Sequence, residues 1–206
     1  YRQFSNRVFG LAMKIKEVEY VFVVAYLAVF PRGLEDRQER IDSWEAMTAS
    51  AAWAKERAAV GIWGGDFNSH LGGLEKGERE GVWKLAMPTT NGGQELRMWM
   101  DMQPVWHVDS HFRFYPRGTW QSFKTKQWYE LDGFLTSVEL MVKRFQHVRT
   151  CPLPHSDHVA KQCRFALAGA TKKAAKMKFV HLQQKRQRKL NWNGIKNDTA
   201  KLAQYK

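Results

Sequence analysis

Cysteine and long apolar runs are both scarce in this chain of 206 residues. Cys151 and Cys163 are too few for a disulfide framework, which favours a reducing compartment. Their spacing relative to His155 and His158 fits no zinc finger or ribbon. The best apolar run, Val21 to Phe30, is too short to span a bilayer. We therefore expect an intracellular protein that is neither disulfide-rich nor a membrane protein.

From the start of the sequence we expect no signal peptide. The chain begins with Tyr1 and enters mixed sequence directly, without a charged head, an apolar core and a cleavage site of small residues. We expect it to be an internal fragment of a longer product. Its composition, 44% hydrophobic and 13% aromatic, is sufficient for the core of one globular domain.

Acidic residues are nearly absent from residues 169–206, which hold eleven Lys and Arg residues and one Asp, a net charge of +10. We expect residues 1–168 to form the globular domain and residues 169–206 to form a basic tail, helical or disordered. Such a tail either binds DNA or is a solvated linker that binds nothing. If the tail binds DNA, we expect the contacts from Lys185, Arg186, Arg188 and Lys189. The same Lys/Arg cluster also suggests a nuclear location.

Apolar patterning predicts alternating strands and helices. A continuous apolar run predicts a strand from Val18 to Phe30 that is buried on both faces. Spacings of three and four predict an amphipathic helix between Glu35 and Ala59, whose apolar positions are Ile41, Trp44, Met47, Ala51 and Ala54 or Ala58. A short strand, Val60 to Trp63, and a glycine-rich loop then lead to a helix from Gln94 to Met102.

The second half of the chain is read mainly as strands. They are predicted at Val105 to Phe114, Thr119 to Phe123, Trp128 to Thr136 and Val159 to Leu167. Residues 138–145 are expected to form a short helix or an irregular stretch.

Three acidic motifs follow one another beside these apolar runs. They are Gly65-Asp66-Phe67-Asn68, Leu131-Asp132-Gly133 and Ser156-Asp157-His158. Carboxylates, an amide and an imidazole gathered at strand ends are what metal-assisted hydrolysis of a phosphoester requires. Hard oxygen ligands favour Mg²⁺, or Mn²⁺ as the alternative.

Each polar residue of these motifs also has a simpler interpretation. Asp66 is the best candidate for a general base, although Asp is common in turns. Asn68 can point its amide the same way as Asp66 if the backbone stays extended, or it can be a second turn former. Asp132 bonded to His158 would hold the imidazole in one tautomer and favour its protonated form, so that the other nitrogen can donate to a phosphate.

The order of these motifs resembles the endonuclease/exonuclease/phosphatase superfamily. Gly-Asp-Phe-Asn after a strand, Thr119-Trp120 before Leu131-Asp132, and Ser-Asp-His before a last strand carry the resemblance, which spans residues 18–167. It implies an α+β fold, a four-layer α/β sandwich in which two packed mixed sheets are flanked by helices. The superfamily includes apurinic endonucleases and the endonuclease domains of non-LTR retrotransposons.

The resemblance implies a role for each matching residue. His158 would donate to the scissile phosphate and Asp132 would orient it, while Asp157 would bind the metal or orient the nucleophile. Tyr26 lies where the superfamily has a Tyr that contacts phosphate, although a strand Tyr is more often core filler. Trp120 is expected to pack beneath the sheet.

The sequence also departs from the superfamily. Its members carry an Asn and a metal-binding Glu on strands upstream of the Tyr strand, and nothing here corresponds to them, since Glu17 and Glu19 lack that context. We therefore expect the fold to lack its first strands. In addition, Gly133 stands where the superfamily usually has Tyr.

Three functions follow as expectations. The first is a metal-dependent endonuclease that nicks target DNA for a retroelement, with a reverse transcriptase following the basic tail. The second is a catalytically inactive fragment that binds nucleic acid through the tail. The third is a phosphatase of the same superfamily.

Overall fold

The computed structural model describes residues 1–29, 34–75, 77–82, 84–112, 118–138, 142–148 and 156–165. The predicted basic tail lies outside the described residues, together with Cys151 and His155. Its proposed boundary and its binding residues therefore stay predictions. Within the described residues, none of the helices is both long and apolar enough to cross a membrane.

A six-stranded mixed sheet is the main scaffold. Its strand order is β1-β2-β3-β4-β8-β5. The strands are β1 (Arg2–Gln3), β2 (Val8–Ile15), β3 (Val18–Tyr26), β4 (Val60–Asp66), β5 (Trp106–His107) and β8 (Asp132–Thr136). The pair β3–β4 is parallel and the other pairs are antiparallel. A parallel pair needs a crossover connection, which here contains a helix.

Two helices pack on one face of this sheet. They are α1 (Leu34–Glu56) and α2 (Asn91–Met102). Side chains at alternate positions of β3 and β4 meet both helices in the hydrophobic core, because alternate residues of a strand share a face. The core includes Val21, Val23, Ala25, Trp63, Met47, Ala54, Leu96 and Trp99.

The buried face of α1 is more polar than its apolar spacing predicts. Ile41, one of the apolar positions, is 42% exposed, whereas Arg40 and Ser43 are buried. Arg40 fits in the interior because Nε donates to Glu95 Oε2 at 2.8 Å and Nη2 donates to Ser69 Oγ at 2.9 Å. The face of α1 that is buried therefore includes Arg40, whose partners Glu95 and Ser69 are distant in sequence and cannot be inferred from apolar spacing.

Two small antiparallel sheets complete the described fold. One joins β9 (Val142–Val148) to β10 (Ala160–Phe165), and the other joins β6 (Trp120–Gln121) to β7 (Trp128–Tyr129). Phe165 of β10 packs edge-on against Phe134 of β8, with ring centroids 6.2 Å apart. Phe134 alternates with the helix-facing Leu135, so β10 approaches the opposite face of the main sheet. This is the predicted α+β arrangement of packed sheets and flanking helices.

Several element boundaries differ from the sequence predictions. The strand predicted at Val105 is only β5, followed by a 3₁₀ helix, Asp109–His111. The strand predicted at Trp128 is divided into β7 and β8, which belong to different sheets. Strand β9 replaces the helix or irregular stretch expected up to residue 145, and β2 was not predicted.

Strand β3 is buried along only one of its faces, which corrects the expectation that both faces are covered. On the other face Tyr20 is buried, whereas residues toward the carboxyl end of the strand are exposed. Its outward-facing Val24 is 65% exposed and Tyr26 is 52% exposed. On the paired strand β2, Phe9, Leu11 and Met13 are exposed on the same face. The apolar run of β3 therefore includes large side chains that are exposed at the surface.

Candidate active site

Three strand ends meet at one edge of the main sheet. Tyr26 is the last residue of β3 and lies in register with Asp66, the last residue of β4. Asp66 is in turn paired with Asp132, the first residue of β8. Because paired residues of neighbouring strands point to the same face, these side chains form a row. The prediction that Asp66 lies at a strand's carboxyl end is confirmed.

Gly65 allows β4 to lie close to β3 at this edge. Its φ is +146°, in a region that side chains disfavour. A Cβ at this position would lie 1.9 Å from the backbone oxygen of Ala25. The glycine before Asp66 is therefore a steric requirement of the strand pair that positions the carboxylate.

Asp66 and Asn68 form a tight local turn. The backbone N–H of Asn68 donates to Asp66 Oδ1 at 2.8 Å, and its side-chain Nδ2 donates to the Leu27 oxygen at 2.8 Å. The φ of Asn68 is +47°, so the backbone is not extended here, and of the two interpretations Asn68 has the geometry of a turn former. Local side-chain to backbone bonding is the reason, as is common for Asn and Asp. A phosphate-binding role for Asn68 stays a prediction.

Asp132 and His158 are brought together from different sheets. Oδ2 of Asp132 lies 2.8 Å from Nδ1 of His158. An ionised carboxylate can only accept, so Nδ1 carries the proton of this bond and Nε2 is left for another partner. The backbone N–H of Asp132 donates to Thr119 Oγ1 at 3.1 Å, which holds the start of β8 in place.

The environment favours a protonated His158. Burial alone lowers the pKa of the ring, but the hydrogen bond and charge of Asp132, with Asp66 and Asp157 nearby, raise it above its ordinary value. A protonated imidazole is a hydrogen-bond donor on both nitrogens and can act as a general acid.

Asp66 has the opposite tendency. Burial, with the Asp132 charge as a smaller contribution, raises the pKa of its carboxyl from 3.8 to about 6, although the Asn68 N–H opposes the change. A carboxyl with a pKa near neutrality is suited to accept a proton from water. The raised pKa also indicates that nearby positive groups do not fully balance the negative charges of Asp66 and Asp132.

The same residues could hold a metal ion. Within the described part of the chain, one such group was found, Asp66, Asp132 and His158, whose ligand atoms lie within 4.8 Å of one another. Two carboxylates and the raised pKa of Asp66 fit a hard divalent cation, which would balance their charge. Glu17 and Glu19 form ion pairs with Lys14 and Arg57.

Asp157 lies beside the three-residue group. Its Oδ2 accepts from Trp120 Nε1 at 2.9 Å and its Oδ1 is 4.0 Å from Nε2 of His158. Trp120 is therefore a half-buried residue of a separate sheet that touches the site, and its expected place beneath the main sheet is wrong. The metal-binding role of Asp157 stays a prediction.

Tyr26 is at the site but is not core filler. Its ring is half-exposed, and the guanidinium of Arg7 lies 4.9 Å from the ring centroid. This cation–π contact orients the ring at the outer end of the row that contains Asp66. The hydroxyl is therefore free of the core packing that usually occupies a strand Tyr.

Sequence reasoning missed the buried groups behind these residues. Lys161 donates to the backbone oxygen of Asp132 at 2.6 Å, and Arg40 donates to the oxygen of Phe67 at 3.3 Å. The predicted strand Val159 to Leu167 contains Lys161 and Arg164, and a charge that becomes buried in a strand requires a partner. The sequence alone does not show which of the two is buried.

Comparisons with known proteins show which fold this is. No family model matches the chain, and no curated protein sequence matches it. Among solved structures, the endonuclease domain of TRAS1, a telomere-specific non-LTR retrotransposon, is 13% identical with a TM-score of 0.52. The match covers 80% of this chain and 66% of that domain.

Two further structures agree. The 3′-5′ exonuclease NExo from Neisseria meningitidis is 18% identical with a TM-score of 0.53, over 77% of this chain and 64% of that one. Beta toxin from Staphylococcus aureus is 13% identical with a TM-score of 0.51, over 77% and 57%. The chain therefore spans less than two thirds of the length of each of the three structures. These likenesses show the fold, which is the one expected from the resemblance to the endonuclease/exonuclease/phosphatase superfamily.

Proposed function

We propose that this chain carries the hydrolytic site of a metal-dependent phosphodiesterase that nicks DNA for a retroelement. The observation that carries the proposal is the convergence of Asp66, Asp132 and His158, whose ligand atoms lie within 4.8 Å of one another. Similarity to a retrotransposon endonuclease domain and to an exonuclease supports DNA as the substrate. A reverse transcriptase after the basic tail belongs to the same proposal and rests on the sequence resemblance alone.

Asp66 acts as the general base in this proposal. Its raised pKa, about 6, lets it take a proton from water near neutral pH while the carboxyl is still ionised. The backbone N–H of Asn68 donates to Oδ1 of Asp66, so this oxygen already has a hydrogen-bond partner. Oδ2 is then the atom that would receive the proton.

His158 acts on the opposite side of the phosphate. With Nδ1 held by Asp132, Nε2 is presented to a phosphate oxygen or to the leaving oxygen, which gains negative charge as the bond breaks. Asp157 lies 4.0 Å from that nitrogen and favours its protonated state. Tyr26 would donate its hydroxyl to another phosphate oxygen.

A divalent ion, Mg²⁺ or Mn²⁺, would be held by the carboxylates of Asp132 and Asp157, which leaves Asp66 available as the base. When bound, such an ion stabilises developing charge on phosphate oxygens and lowers the pKa of water. The hard oxygen ligands of this edge suit these ions.

Conversion of supercoiled plasmid to the open circle tests the proposal. We expect conversion by the 206-residue chain in Mg²⁺ or Mn²⁺ and none in excess chelator. Small phosphomonoesters should be hydrolysed far more slowly than the plasmid is nicked. Preferential hydrolysis of the monoesters would favour a phosphatase instead, and no cleavage in any divalent ion would contradict a hydrolase.

A second candidate function is nucleic-acid binding without catalysis. It is favoured by the net charge of +10 in residues 169–206 and by the unmatched metal-binding Glu of the sequence resemblance. Lys185, Arg186, Arg188 and Lys189 would contact phosphates, so that affinity falls steeply with salt.

Deletion of residues 169–206 tests this second function. We expect DNA affinity to fall and the slope of log affinity against log salt to become shallower, because fewer counterions are released on binding. The measurement is a fluorescence anisotropy titration at several salt concentrations. An unchanged slope would show that the tail contributes no phosphate contacts.

A further inference from the structure

We propose that Lys161 is a positioning residue that holds Asp132 in the orientation required for its bond to His158. The inference rests on the proposed function in one respect, namely that this Asp–His pair does chemistry. Lys161 belongs to β10 and lies three residues after His158. It therefore ties the segment that supplies the imidazole to the strand that supplies the carboxylate.

The ammonium of Lys161 lies among three acceptors. Nζ is 2.6 Å from the backbone oxygen of Asp132, 2.6 Å from Asp109 Oδ2 and 2.9 Å from Glu130 Oε1. An ammonium has three N–H donors, so one group can serve all three. The side chain is only 3% exposed, so water does not compete for these bonds.

These bonds satisfy the free edge of β8. Strand β5 pairs with Leu135 and Thr136, and the N–H of Val108, just after β5, donates to the Phe134 oxygen at 2.9 Å. Within the described residues no strand pairs with β8 on this side before Phe134. Buried backbone groups require partners. Asp109 Oδ1 accepts from the N–H of Phe134 at 3.1 Å, and Lys161 donates to the oxygen of Asp132. Side chains thus replace a missing strand where the site begins.

Asp132 is consequently held from two directions. Thr119 Oγ1 accepts from its N–H at 3.1 Å, while Lys161 binds its carbonyl oxygen. The peptide groups before and after Asp132 are each fixed by one of these bonds. Fixing the backbone limits the directions in which Oδ2 can point.

Gly133 makes room for this arrangement. A Cβ there would lie 3.0 Å from Asp109 Oδ2 and 3.5 Å from His107 Nε2. A side chain at position 133, where the superfamily usually has Tyr, would therefore crowd Asp109, whose carboxylate pairs with Lys161.

Stability alone is a poor explanation for this buried cluster. Removing charges from water costs several kcal/mol per ion, and well-packed apolar residues often stabilise a protein as much as a buried ion pair does. Lys84 provides an internal comparison, because its side chain is also 3% exposed and is paired with Glu80. Lys161 differs in donating to the backbone of a site residue.

Proton NMR of His158 in the complete chain is the test. The Nδ1 proton bonded to Asp132 should give a downfield resonance, assigned by its loss in His158→Gln. We expect Lys161→Met to shift or broaden it and Lys161→Arg to restore it in part. Lys84→Met should leave it unchanged while lowering the unfolding free energy. An unchanged resonance in Lys161→Met would overturn the inference.

A second variant guards against misfolding. Lys161→Met with Glu130→Gln removes one positive and one negative charge, so the net charge of the cluster is preserved. We expect the same shift or broadening of the Nδ1 resonance, and an unchanged resonance in this folded double variant would overturn the inference.

Nicking separates this inference from the proposed function. Lys161→Met should lower the rate by about 10- to 100-fold, as is typical when a group behind a site residue is lost, whereas Lys84→Met should not. If the unaltered chain cuts nothing, the proposed function fails, and the NMR result still decides the role of Lys161.

Discussion

At the scale of single residues, Asp66 is placed where its charge is unfavourable. Burial and the neighbouring Asp132 raise the pKa of its carboxyl to about 6. An acid whose pKa is raised on folding binds its proton more tightly in the folded state, so ionisation lowers stability. This is typical of functional sites, where a charge is retained for chemistry.

Asp66→Asn should therefore stabilise the protein at pH 7. In the unfolded chain the carboxyl titrates near 3.8, so the penalty develops as the pH rises from about 4 to 6 and is complete above that range. The amide oxygen of Asn can still accept the Asn68 N–H. We expect a gain of about 2 kcal/mol at pH 7 in chelator and little difference near pH 4. Urea unfolding at both pH values measures it.

The exposed Asp101 provides the matched control, because its carboxylate is half-exposed and forms an ion pair with Arg79. Asp101→Asn should change the unfolding free energy by less than about 0.5 kcal/mol. A loss of stability in Asp66→Asn at pH 7 would show that the carboxylate is a structural group.

At the scale of elements, the sequence was most informative where local signals agreed. The apolar run before Gly64-Gly65 predicted β4 and the place of Asp66 at its end. The spacing of Leu96, Trp99 and Met100 predicted the buried face of α2, although the helix starts three residues earlier, at Asn91. In both cases the signal is local: Gly64 and Gly65 lie at the end of β4, and Thr90 caps the start of α2.

Elements held by distant side chains could not be predicted in this way. Thr119 accepts from the N–H groups of both Leu131 and Asp132, which separates β7 from β8 inside one apolar stretch. Asp109 takes the place of a strand partner beside Phe134. Such bonds join residues 12 to 25 positions apart in sequence, and local patterning carries no information about them.

The candidate site was likewise only partly predictable. The three motifs supply Asp66, Asp132 and His158, whose ligand atoms lie within 4.8 Å of one another. Asp66 and Asp132 meet at strand ends of one sheet, whereas His158 comes from the segment before β10. The turn at Asn68 and the bond from Trp120 to Asp157 depend on three-dimensional contacts. Lys161 was missed because its three acceptors come from distant parts of the chain.

At the scale of the whole molecule, the site bridges two sheets. Asp66 and Asp132 belong to the six-stranded sheet, whereas His158 lies just before β10 of a two-stranded sheet. The packing of Phe165 against Phe134 and the bonds of Lys161 hold these sheets together. Any change that separates the sheets should therefore break the Asp132–His158 pair.

The nicking rate of His158→Ala, compared with that of the unaltered chain in Mg²⁺, tests the central claim most directly. Loss of the imidazole removes the proton donor but leaves Asp66 and Asp132 in place, so we expect a decrease of about 100-fold or more. Gln162→Ala, an exposed change on β10, is the matched control and should keep the original rate. Equal rates for His158→Ala and the unaltered chain would contradict the assignment of this cluster as the active site.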